Sequence, residues 1–84
     1  MKRKGYDEGN FFDLVKDGAV RECKTARTDT PKGLQWAFYF RLGGPGSEWK
    51  TIRSQREPVR TWASLDTVAS FADAAGIRLF AVEQ

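Results

Sequence analysis

Lys50, Arg53, Arg56 and Arg60 fall within eleven residues that hold one carboxylate, Glu57, and Trp49 and Trp62 bracket them. The stretch carries +3, which equals the net charge of the whole 84-residue chain. Elsewhere, lysines and arginines are matched in number by aspartates and glutamates. Clustered cations attract polyanions, and indole faces accept stacked bases. The chemistry on offer is phosphate binding with aromatic support.

Other residue types offer less. Cys23 is the only cysteine, and histidine is absent. A cysteine nucleophile needs a partner base or a helix N-terminus, so Cys23 is read as a packing residue. No internal disulfide can form and the usual zinc ligand sets are missing, so no metal or cofactor is expected. Asp66 and Asp73 read as a helix-dipole partner and a surface charge. Gly43-Gly-Pro-Gly46 lacks the Lys-Ser/Thr and the following helix of a phosphate loop, and so reads as a hairpin end. The expectation is a binding protein and not an enzyme.

The elements that position the basic stretch follow from hydrophobic period and punctuation. Leu34, Trp36, Phe38, Phe40 and Leu42 alternate with Gln35, Ala37, Tyr39 and Arg41, the period of a strand with one buried face. Gly43 to Ser47 ends it, and Trp49 to Gln55 alternates again as an antiparallel neighbour. Ile52 would continue the core, leaving Thr51, Arg53 and Gln55 beside Tyr39 and Arg41 on the open face. Glu57-Pro58 marks an edge, a bulge or a bend, with Arg56 and Arg60 extending the surface around it. A short extended piece resumes over residues 59–63.

Ser64 caps a helix over 65–75, with Asp66 at its positive end and Gly76 as its stop. Ile77 to Val82 is a last strand. Before the central strand, Asn10 caps a helix over 11–17 with Gly18 following, preferred here to a hairpin turn at Asp17-Gly18. Residues 19–28 tolerate a strand, and Thr30-Pro-Lys-Gly33 forms a turn. Residues 1–9 read as a flexible basic arm and 10–84 as a single domain. The fold class is α+β in the order α-β-β-β-α-β, a small antiparallel sheet with helices on one face.

A chain of this size has room for one core. No apolar run approaches the roughly 20 residues of a membrane span, and Met1-Lys-Arg-Lys4 runs into charged residues, not an apolar signal segment. A reducing, cytoplasmic location is expected.

Three segments carry a resemblance. They are Phe12-Asp-Leu-Val-Lys-Asp-Gly18, the run Arg60-Thr-Trp62-Ala-Ser64-Leu65-Asp66-Thr-Val-Ala, and Ala75-Gly76-Ile77 with the strand ending Val82-Glu83. Together with Gly33-Leu-Gln-Trp36 they resemble ParC-type partition-associated proteins of bacterial plasmids and integrated elements. The resemblance implies an accessory role in plasmid maintenance, without catalysis, through DNA or a partition protein.

The expected ligand is therefore nucleic acid, single-stranded or bound without sequence preference. Lys50, Arg53, Arg56 and Arg60 would neutralise phosphate, Arg41 and Tyr39 would support them, and Trp49 and Trp62 would stack. The competing reading is a protein-interaction module, a homodimer or an inhibitor of a host protein, using the same face or the edge left by Glu57-Pro58.

Overall fold

A computed structural model describes residues 5–84. Its elements are α1 (Glu8–Lys16), β1 (Glu22–Thr30), β2 (Gly33–Arg41), β3 (Lys50–Thr51), β4 (Thr61–Trp62), α2 (Leu65–Ala75) and β5 (Ala81–Glu83). The class is α+β, and the order is the expected one with the short piece at 61–62 counted as a strand.

β2 is the centre of the sheet. β1 pairs along its whole length in antiparallel register, with Cys23 opposite Phe40 and Thr25 opposite Phe38. On its other side β3 pairs with one half and β4 with the other, both antiparallel. β5 adds to β1 in parallel, Lys24 beside Ala81 and Ala26 beside Glu83, so the sheet is mixed and not wholly antiparallel. The helix α2 between β4 and β5 supplies the crossover that a parallel neighbour needs.

Both helices cover the face that carries Phe38 and Phe40. Phe11 of α1 lies 5.7 Å from Phe38, 4.7 Å from Phe40 and 5.8 Å from Phe71 of α2, ring centre to ring centre. Phe11, Phe38, Phe40, Ile52 and Val68 are fully enclosed. Six phenylalanines and two indoles in so short a chain supply the burial that a small domain needs. The one buried polar side chain among the described residues, Thr25, donates its hydroxyl to the Ala37 carbonyl at 2.7 Å, so its burial leaves no orphan. Leu34, expected in the core, sits at the β1–β2 hairpin end and is 63% exposed. The alternation is right there, but the helices do not reach that far.

The N-terminal boundary differs from expectation. The helix starts at Glu8, capped by Asp7, whose carboxylate accepts the Asn10 N–H at 2.7 Å. Asn10 is inside the helix. Tyr6 is also ordered into the fold: its N–H donates to the Thr51 carbonyl, its carbonyl accepts from Arg53 N–H, and its ring meets Phe40 edge-on. Gly5 sits so close to Thr51 and Pro58 that a Cβ would lie 3.0 Å from the threonine hydroxyl. Residues 5–9 are thus part of the domain. The rest of the expected basic arm lies outside the described residues.

α2 keeps its expected limits. Ser64 accepts the Thr67 N–H, and Gly76, at φ 90°, turns the chain so that Ile77 N–H reaches the Ala72 carbonyl. No helix among the described residues is long and apolar enough to cross a membrane.

Candidate nucleic-acid interface

Ile52 anchors the outer edge in the core, and the backbone leaves the sheet directly after it. Arg60 N–H donates to the Ile52 carbonyl at 2.6 Å, which closes residues 53–59 into a loop between β3 and β4. Inside the loop Ser54 organises a turn. Its N–H donates to the Glu57 carbonyl, and its hydroxyl oxygen accepts from the N–H groups of Arg56 and Glu57. A serine turn followed by Pro58, which has no N–H for a ladder, is sufficient cause for the departure.

The loop brings Arg53 and Arg60 into one cleft and sends Arg56 to another hollow. Arg53, Ser54, Gln55 and Arg60 form one wall of a cleft of about 560 Å³, and Asp7, Glu8 and Gly9 at the start of α1 form the other. Across it Arg53 Nη2 lies 3.6 Å from Asp7 Oδ2, and Arg60 Nη1 lies 3.3 Å from Glu8 Oε1. Arg53 Nε is buried with no partner among the described residues. Arg56 is exposed and makes no ion pair among the described residues; with Lys32, Ser54, Gln55 and Glu57 it lines a second hollow on the loop's far side. Lys32 Nζ is 4.0 Å from Glu57. Four cations therefore stand against three carboxylates at the loop. The Arg60–Glu8 pair is partly exposed, and such pairs contribute only about 0–1 kcal/mol, so phosphate can compete for Arg60; the Arg53 side chain is 19% exposed and mostly enclosed.

Arg41, Tyr39 and Trp49 form a separate group on the open face of the sheet. Trp49 lies between two cations, Arg41 at 4.0 Å and Lys24 at 4.6 Å from its ring centre, and Lys24 also lies over Tyr39. Arg41 bonds Glu22 at 2.6 Å and donates to the Pro45 carbonyl, while Lys24 bonds Glu83 at 3.3 Å. Two cations and two carboxylates cancel. The Arg41 side chain is 14% exposed, so little of its guanidinium is open to a ligand.

The expected sheet-face site is therefore divided. Tyr39 does lie opposite Thr51, as the alternation requires, but Arg53 and Gln55 depart with the loop. Lys50 pairs with Glu48 at 2.8 Å; that hydrogen bond holds the Glu48 carboxyl below its ordinary range and raises the Lys50 ammonium. Trp62 is 7% exposed, opposite Trp36 and 4.9 Å from Phe71, which makes it a core residue and not an open stacking platform. Lys24 and Lys32 were not among the expected residues. Alternation between buried Cys23 and Thr25 is the signal that points Lys24 outward.

Burial pushes the Cys23 thiol up to about 11, so it is protonated at neutral pH and is a poor nucleophile. Compared with protein families, curated proteins and solved structures, the chain finds no match.

Proposed function

We propose that this chain is a non-catalytic nucleic-acid-binding protein of the bacterial cytoplasm, an accessory of a plasmid or mobile element in the manner of the partition-associated proteins it resembles. It holds the phosphate backbone at the 53–60 loop, through Arg53, Arg56 and Arg60, with Lys32 and Gln55 beside them. The observation that carries this reading is Arg56, exposed on the loop and without an ion pair among the described residues, with Arg53 and Arg60 lining the adjoining cleft. The sheet face around Trp49 has a structural part in it, not a binding one.

Titration of a single-stranded oligonucleotide by fluorescence anisotropy at several salt concentrations tests this. Neutralising three phosphates implies a log–log slope of about −2. An affinity that does not change with salt would rule the reading out.

A second reading has its own observation. β5 is an edge strand with all three residues exposed, Val82 is 42% exposed, and Leu79 just before it is 86% exposed. An open edge with apolar neighbours accepts another strand, from a second copy or a host or partition protein. Charge reversal at Arg53 and Arg56 separates the two readings, because pairing at β5 would survive it.

A further inference from the structure

Arg60 divides two hollows of different character. On one side is the arginine cleft. On the other is a hollow of about 440 Å³ whose walls are Phe12, Trp62, Phe71 and Ala74, with the hydroxyls of Thr67 and Ser70 at its rim. The two share Glu8 and Arg60 as a common wall. Arg60 itself lies over Trp62, 4.6 Å from the ring centre, and 5.5 Å from Phe71.

We infer that the apolar hollow takes one unstacked base of a single-stranded nucleic acid whose neighbouring phosphate is held by Arg53 and Arg60. This rests on the phosphate-binding reading of the loop and specifies its ligand. Three features of the site select that occupant. A cleft lined by two arginines, each facing one carboxylate, adjoins an apolar hollow, and this pairing matches a molecule that offers an anionic group next to a flat apolar one. An arginine plane over aromatic rings is a surface on which bases stack, and the half-buried Phe12 ring offers another. The Ser70 hydroxyl, exposed on α2, offers a partner to a base edge. A base paired and stacked within a duplex cannot enter such a hollow without being extruded, so single strands are the preferred form.

Three probes read the inference out: a ten-nucleotide oligothymidylate, the same sequence as a duplex, and inorganic polyphosphate with a similar number of phosphates. The wild-type chain should bind the single strand about tenfold more tightly than polyphosphate or duplex at equal salt, the increment of one stacked base. Ser70→Leu with Ala74→Leu fills the hollow from two exposed helix positions, so the fold is retained. That variant should lose the preference for single strands while its polyphosphate affinity stays the same. Equal binding of all three probes by the wild type, or a preference that persists in the filled variant, overturns the inference and leaves phosphate binding intact. No binding of any probe at low salt overturns the phosphate-binding reading itself.

Discussion

The loop at residues 53–60 and the sheet face around Trp49 use the same side chains, arginine beside an aromatic ring with a carboxylate near, and they differ in what is left over. Around Trp49 each cation lies over a ring and has a carboxylate, and Arg41 Nε, like Arg53 Nε, is buried without a partner among the described residues. The group ties β1, β2, β5 and the segment before β3 together. At the loop the cations outnumber the carboxylates among the described residues, Arg56 makes no ion pair among them, and hollows open on both sides. Composition alone does not separate a binding surface from a structural one. The balance of partners does.

The largest effect that sharpens this comparison is Arg53→Glu with Arg56→Glu. Two cations become two anions, one beside Asp7 and one in the hollow that holds Glu57, and oligonucleotide affinity in low salt should fall by about a hundredfold or more. Arg41→Gln, which removes one cation from the other group, should change affinity by less than about threefold. Equal losses from the two, by anisotropy, would mean that the regions act as one surface.

Trp49→Ala breaks the comparison from the other side. The substitution removes a half-buried indole and two cation–π contacts, for a loss of about 2 kcal/mol in stability. The urea midpoint should drop while the oligonucleotide affinity of the folded protein holds. A large loss of affinity with an unchanged midpoint would reassign Trp49 as a stacking platform.

Glu8→Gln tests whether the acids at the start of α1 restrain the loop. Its carboxylate is 3.3 Å from Arg60, and its removal should tighten oligonucleotide binding by about two- to fivefold and steepen the salt dependence. Weaker binding would indicate that Glu8 positions Arg60 for the ligand instead of competing with it.

What was legible in the chain follows from the range of the forces involved. α2 was readable to the residue, because Ser64, Asp66 and Gly76 act on backbone groups within a few positions. β2 was readable from its period. The loop was half legible: Pro58 announced a break, but the Ser54 turn and the Arg60 to Ile52 closure depend on β3 and β4 sharing one edge of β2. The charge balance was not legible at all. Asp7 and Arg53, Glu8 and Arg60, and Glu22 and Arg41 are far apart along the chain, so counting charges in a window finds Glu57 but leaves out Asp7, Glu8 and Glu22. The helix start shifted because Asp7 and Asn10 are both competent caps; with Tyr6 bound to the edge of β3, the chain enters at the first.

The smallest effect expected is at Lys50, which lies in the basic stretch by sequence but belongs to neither region. Its partner Glu48 is exposed, and the pair is local to β3. Lys50→Gln should leave the urea midpoint at neutral pH unchanged and reduce oligonucleotide affinity by less than about threefold. The pair has a readable signature nonetheless. Lys50 lowers the Glu48 carboxyl, so whatever the pair adds to stability is present above the ordinary carboxylate range and is lost as pH falls through the folded-state value. In the variant the Glu48 carboxyl, followed by NMR through an acid titration, should move back up toward its ordinary range. If the carboxyl moves and affinity falls as far as it does in the arginine double variant, Lys50 belongs to the loop, and the boundary between the two regions lies further along the edge than Ile52.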